Sequence, residues 1–302
     1  MLQQLSYAML KPLVIILFAL YSPTILGQTN YNGFIGKYPI ELVTNIYSDG
    51  DARAVYAYQN FDEPIVIDGK LSGDTLTLFE KDKNKTVTAT LSFPGFNKKN
   101  KTLNGTWTSL QTNKQLSIEI EKEFEMEDGD SIEWQGKEII QKYSLKNYYF
   151  KLVISKAKGD FYPRVTGVKI LQKKTDSLIQ HVQTDCRLWG LDNIQVGDYN
   201  FDGILDFSVF EESYAGPNTS SVYFLYDPTT KKYFDSGFEG VSLEFDQKTK
   251  RIFEHNQCCA GRQHTTAKYR VVNNKMVLIE QHCYIWDEKK QDLVERKMKD
   301  CQ

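Results

Sequence analysis

The chain has 302 residues, 41% hydrophobic and 25% charged, a balance that supports a packed core and allows roughly two domains. Its 37 basic and 39 acidic side chains leave a formal net charge of −2. No broad electrostatic field therefore favours nucleic acid or an anionic membrane as partner.

At the N-terminus, Lys11 precedes the apolar run Leu13–Leu20, and Ile25-Leu-Gly27 leads into polar Gln28-Thr-Asn. The run is short for a bilayer span and Gly27 suits cleavage, so residues 1–27 are expected to be a secretory signal peptide; an uncleaved anchor is the alternative. Cleavage would leave no transmembrane segment and a secreted or periplasmic protein.

From Gly33 onward, short runs of alternating apolar and polar residues predict strands at Tyr38–Ile46, Ala54–Tyr58, Pro64–Leu71, Asp74–Glu80, Thr86–Phe93, Thr102–Ser109 and Gln115–Glu121. Turn-forming residues such as Asp49-Gly-Asp and Ser72-Gly-Asp separate them. This spacing predicts an antiparallel β domain over 28–122, either a sandwich or a barrel. Acidic residues then accumulate and alternation lapses, which places a linker at 123–140. Residues 141–302 read as a second, mainly β domain with strands including Tyr148–Ala157, Val165–Gln172, Leu205–Glu211, Thr265–Val272 and Lys275–Tyr284. Asn273-Asn274 signals a hairpin turn, because Asn accepts positive φ more readily than most residues. The expected fold class is all-β throughout.

All five cysteines, Cys186, Cys258, Cys259, Cys283 and Cys301, lie in this second half. In an exported chain they read as disulfide-formers, with Cys258 or Cys259 bridged to Cys283 and with Cys186 or Cys301 in a second bridge. The odd count leaves one thiol over or allows an intermolecular bridge. Zinc held by Cys258, Cys259, His255 and His264 is the rival reading, and it lacks C-x-x-C spacing.

The segment with most chemical content is Asp198-Tyr-Asn-Phe-Asp-Gly-Ile-Leu-Asp206. Asp198, Asn200, Asp202 and Asp206 offer hard oxygens at spacings that converge when a loop wraps an ion. Gly203 permits the sharp turn, and the Ile204 carbonyl is the expected backbone ligand, so the loop is expected to bind Ca2+. Val209 stands where an EF-hand places its bidentate Glu, and the flanks read as strands. The loop is instead similar to the calcium loops on β-hairpins of calcium-binding propellers. An Asx-rich turn that binds nothing is the plain alternative. Because protein oxygens would wrap the ion, the expected role is structural rather than catalytic.

Three segments, Gly197-Asp-Tyr-Asn-Phe-Asp-Gly-Ile-Leu-Asp206, Tyr223-Phe-Leu-Tyr-Asp227 and Tyr269–Leu278, carry a resemblance over Val196–Glu280 to a family of bacterial periplasmic proteins. That family is associated with toxin-delivering type IV secretion systems, and its members act as immunity proteins that inhibit peptidoglycan hydrolases. The resemblance implies a calcium-stabilised, propeller-like β fold for the C-terminal domain and a lysozyme-type enzyme as partner. An inhibitor of this kind needs protruding loops that fill a carboxylate-bearing cleft. Tyr214, Asn218, Arg262 and His264 are the expected partner-binding donors.

Two rival functions follow from other residues. Glu211 and Glu212 are paired carboxylates of the type glycoside hydrolysis needs, yet strand neighbours point to opposite faces unless a bulge intervenes. No nucleophile elbow, zinc-protease helix or phosphate loop is present, and no catalytic residue is expected. Trp107, Tyr56 and Tyr58 would serve a polysaccharide-binding module, although strand aromatics more often fill a core.

Overall fold

The computed structural model describes residues 25–126, 133–160 and 162–301. They are almost entirely β, as expected. Three short 3-10 turns, Gly190–Asp192, Cys259–Gly261 and Met298–Asp300, are the helical elements among the described residues. None of the described helices is long and apolar enough to cross a membrane.

The N-terminal half is a closed antiparallel barrel of β1 (Ile25–Ile35), β2 (Tyr38–Tyr47), β3 (Asp51–Tyr58), β4 (Ile65–Ser72), β5 (Thr75–Lys81), β6 (Val87–Phe93), β7 (Thr102–Ser109) and β8 (Gln115–Glu125). The choice between sandwich and barrel thus falls to the barrel. Closure depends on β1, which pairs with both β2 and β8. A Cβ at Gly33 would collide with the Glu119 carbonyl and sit 2.6 Å from Ile120 Cα, so the closing seam requires glycine there. Alternation along the strands sends Tyr31, Ile40, Leu42, Leu76, Leu78, Leu91 and Ile120 inward to a closed core. Of the expected leader, residues 1–24 lie outside the described residues, and Ile25–Gly27 are strand residues at the start of β1.

Three antiparallel meanders follow. They are β9 (Trp134–Ser144), β10 (Tyr148–Lys156), β11 (Arg164–Gln172) and β12 (Leu178–Arg187); then β13 (Ile194–Gly197), β14 (Asp206–Ser213), β15 (Thr219–Asp227) and β16 (Lys232–Asp235); then β17 (Glu244–Asp246), β18 (Arg251–Cys258), β19 (Gln263–Val272), β20 (Lys275–Asp287) and β21 (Asp292–Arg296). The first two have the four-stranded up-and-down form of a propeller blade, and the third has five strands. The segment expected to be a linker, 123–140, carries the end of β8 and the start of β9, with 127–132 outside the described residues. Buried Ile139, Ile140 and Gln141 anchor β9.

Barrel and meanders share a core. Val43, Val55 and Ala57 on the barrel's outer wall pack with Ile139, Phe150, Leu152, Phe207 and Val209. Polar contacts reinforce the seam: the Lys151 ammonium meets Glu41 at 2.6 Å, and Asn30 Nδ2 donates to the Glu138 carbonyl at 3.1 Å. A separate aromatic core joins the second meander to the third.

Candidate functional site

The Asp198–Asp206 loop links β13 to β14. Asp198 spans it from inside, one carboxylate oxygen accepting the Asp202 N–H at 3.0 Å and the other the Gly203 N–H at 2.8 Å. Asp202 Oδ1 accepts the Ile204 N–H at 2.8 Å, and Asn200 Oδ1 accepts the Asp202 N–H at 3.2 Å. Phe201 (φ 65°) and Gly203 (φ 90°) take the left-handed conformations that this winding requires.

Asp206 behaves differently. It is fully buried, and its two oxygens accept the Tyr199 and Tyr226 N–H groups at 2.8 and 2.9 Å, pinning the loop to β15. Burial pushes its carboxyl up to about 6 against the pull of those amides, with Asp202 and Asp198 adding to the rise. The structure therefore brings Asp198, Asn200, Asp202 and the Ile204 amide into one network, with Asp206 as its buried base. Among the described residues, no three His, Cys, Asp or Glu side chains gather as a metal cluster. The donor chemistry of Asp198, Asn200 and Asp202 nevertheless suits a hard cation: each carboxylate or amide oxygen spent on one N–H keeps a second lone pair.

The intervening residues of the loop have a separate task. Tyr199 and Phe201 turn into the aromatic core between the second and third meanders, where Tyr199 lies 4.9 Å from Tyr223 and 4.7 Å from Phe245 between ring centroids. Gln247 Nε2 donates to the Asp198 carbonyl at 2.6 Å, Lys250 Nζ to the Phe201 carbonyl at 3.1 Å, and Asn200 Nδ2 to Asn274 Oδ1 at 3.0 Å. The loop thus fastens the β17–β18 and β19–β20 turns to the second meander. A reading for oxygen ligands alone misses this role; the aromatic residues alternating with Asp and Asn are the signal for it.

Beyond this loop, a cleft of about 370 Å³ opens beside β14 and β15, with Glu211, Tyr214, Asp235, Phe238 and Glu239 among its lining residues. A bulge between Phe210 and Glu212 breaks the alternation of β14. Glu211 lines the cleft, whereas Glu212 receives Arg187 Nη1 at 2.9 Å. Among the described residues, Glu211, Asp235 and Glu239 are in no ion pair.

Of the four expected partner-binding residues, Tyr214 lines the cleft, and the four differ in availability. Tyr214 is about half exposed, its hydroxyl 3.2 Å from Ser220 Oγ. Asn218 is buried and spent: it donates to the Gln257 carbonyl at 2.7 Å and accepts the Gln257 N–H at 3.0 Å, joining β15 to β18. Its expected role as a donor to a partner is corrected accordingly. Gln257 pairs across the ladder with His264, whose Nε2 lies 3.1 Å from the Gly261 carbonyl. Arg262, largely exposed, meets Glu288 in an ion pair.

A second cluster joins β3, β5 and β7 of the barrel. Tyr56 Oη and Trp107 Nε1 both donate to Glu80 Oε1, at 2.5 and 2.6 Å, and Tyr58 packs edge-on against Tyr56 and Tyr38. Burial, reinforced by the Glu80 charge, raises the Tyr56 phenol far above its ordinary range. The three aromatics chosen from sequence do meet, around a carboxylate the sequence did not single out.

The cysteines depart from expectation. Cys283 pairs with Cys301, Cα atoms 5.9 Å apart, the Cys258 and Cys259 sulfurs meet each other, and Cys186 is a buried free thiol. The expected bridge from Cys258 or Cys259 to Cys283 is therefore replaced. The ladder explains why: Cys258 pairs with Gln263 and Cys283 with Thr265, so an intervening strand separates them, whereas the C-terminal turn returns to β20.

No protein-family model matches the chain, and the search of curated proteins found no match. Among solved structures, the chain is similar to the β-propeller domain of the Trilobed protease from Pyrococcus furiosus, at 10% identity over 89% of this chain and 84% of that one, with a TM-score of 0.25. It is also similar to a protein from Lactobacillus plantarum, at 11% identity over 90% and 96%, with a TM-score of 0.26. Superposition this loose assigns neither fold nor activity, and the architecture rests on the chain's own strand pairing.

Proposed function

We propose that this is an exported, calcium-stabilised binding protein that engages a peptidoglycan-degrading, lysozyme-type enzyme through Tyr214, Arg262, His264 and the adjoining cleft. The carrying observation is the cleft itself, whose Glu211, Asp235 and Glu239 have no cationic partner among the described residues while Tyr214 stands exposed at the edge. Such a surface suits a lysine or arginine of a partner, with the tyrosine as aromatic anchor. Calcium in the Asp198–Asp206 loop would be held by Asp198, Asn200 and Asp202 with the Ile204 carbonyl, supplying the positive charge these oxygens lack. Asp206 would fix the loop from beneath.

Titrating the protein into a muramidase assay tests the partner. Stoichiometric loss of cell-wall lysis is expected, weakened at least tenfold by Tyr214→Ala, since anchor truncations cost about 2 kcal/mol or more. Undiminished lysis at saturating protein removes the inhibitor reading. Calcium is tested separately by thermal unfolding in calcium and in EGTA. Binding at a hundred times Kd stabilises by about 2.7 kcal/mol. The Asp198→Ala/Asp202→Ala variant should lose that shift, and an unchanged midpoint in the parent chain excludes the ion.

A second reading, a module for envelope polysaccharide, rests on half-buried Trp107 and Glu80, a fixed carboxylate beside an indole that suits a sugar, with Tyr56 buried in the barrel core behind them. Retention on insoluble peptidoglycan that Trp107→Ala abolishes, without muramidase inhibition, would select it.

A further inference from the structure

Cys258, the last residue of β18, and Cys259, the first of the turn to β19, lie side by side, both exposed, with their sulfurs in contact. A disulfide stabilises chiefly by closing a loop in the unfolded chain, and the effect grows with loop length. The Cys283–Cys301 bridge, at a separation of 18, ties the C-terminal turn to β20, and Cys283 is fully buried. Cys258–Cys259, at a separation of 1, closes no such loop and joins no two elements. Ladder pairing of Cys258 with Gln263 already closes the turn.

The turn also carries a backbone cost. Cys259 (φ 58°) and Ala260 (φ 54°) occupy the left-handed region, where a Cβ is unfavourable, at a position that glycine would fill freely. Cys258 itself is extended (φ −128°), so the chain turns sharply between two exposed cysteines, a pair that stabilises little and remains accessible to attack.

We infer that Cys258 and Cys259 form a thiol–disulfide exchange site for a low-molecular-weight thiol such as glutathione. A thiolate attacks one exposed sulfur, forming a mixed disulfide and releasing the other cysteine as a thiolate that takes up a proton. A second thiol resolves the mixed disulfide. Two thiols are thereby oxidised to one disulfide while the pair is reduced to two cysteines, and the reverse reaction restores it. The neighbouring Gln257 backbone is bonded through both its N–H and its carbonyl to Asn218, whose own carbonyl accepts the Tyr214 N–H at 2.9 Å. The exchanging pair is thus adjacent to the strut that supports the cleft wall.

The remaining cysteines are internal controls. Cys186 is fully buried, and burial pushes its thiol up to about 11, so it stays protonated and enclosed at pH 8. The test equilibrates the full-length folded protein with glutathione buffers of graded ratio, quenches with acid, and maps maleimide adducts by mass spectrometry. Two adducts on the peptide carrying Cys258 and Cys259 are expected in reducing buffer and none in oxidising buffer, with Cys283–Cys301 intact and Cys186 unlabelled throughout. Cys258→Ser and Cys259→Ser should each trap glutathione on the remaining cysteine. Resistance of the pair to reduction until denaturant is added, failure of the reduced pair to reoxidise, or absence of the mixed disulfide in both folded variants would each overturn the inference.

Discussion

The barrel and the third meander are both antiparallel β structure, yet they solve the burial problem differently. In the barrel, inward residues such as Leu76, Leu78, Leu91 and Ile120 are wholly removed from water because the sheet closes on itself. In the third meander, β20 leaves Leu278 46% and Ile279 44% exposed. That sheet takes its order from one aromatic core, the Asp198–Asp206 loop and the Cys283–Cys301 bridge. Strand propensity alone does not distinguish the two regions; closure does.

The same substitution in both regions gives the largest expected contrast. Leu91→Ala opens a cavity in the sealed barrel and should cost about 2–5 kcal/mol. Leu278→Ala on the open sheet should stay within about 0.5 kcal/mol. Urea midpoints with unchanged slopes measure both. A Leu278→Ala cost matching that of Leu91→Ala would mean that another surface covers β20, and would break the comparison.

The bridge sharpens it further. Entropic treatments give about 3 kcal/mol for a cross-link closing a loop of similar length. Cys301→Ser should therefore loosen the third meander while leaving the barrel protected. Hydrogen exchange resolves the two: faster exchange confined to β20 and β21 is expected, and equal acceleration in β5 and β6 would show that the halves unfold as one unit.

What could be read beforehand follows the same division. The barrel strands after β1 were legible because a surface buried on one side imposes period-two alternation, and Thr75–Lys81 and Val87–Phe93 show it plainly. β1 was not, since its outward Gln28, Asn30 and Asn32 with Gly33 read as a polar segment after a leader; its burial comes from long-range contact with β2, β8 and β9. β9 was obscured by its charges, and buried Gln141 gains its place by donating to the Gly190 carbonyl at 3.3 Å, a partner far along the chain. In the candidate site, the sequence displays the polar groups but not which of them the fold engages. Asn218 looks like a surface-loop donor, yet a strand distant in sequence engages its amide, and Asp206, one of the expected ligands, is fully buried beneath the loop with a backbone amide on each oxygen.

The smallest expected effect lies between these regions, at the pair joining β12 to β14. The Arg187 guanidinium beside Glu212, aided by the Ser213 N–H, holds the Glu212 carboxyl below its ordinary range. A depressed carboxylate contributes stability above its unfolded pKa and loses it as pH falls through the folded value. Side chains exposed by about a third are screened by solvent, which limits the pair to about 0.2–1 kcal/mol. Arg187→Gln should therefore lower the unfolding midpoint slightly at pH 7 and match the parent chain once acid has protonated Glu212. Added salt should narrow the difference at pH 7. A deficit that persists undiminished in acid would assign the role of Arg187 to the packing of its alkyl stem, whose cation lies 5.4 Å from the Tyr162 ring centroid, rather than to charge.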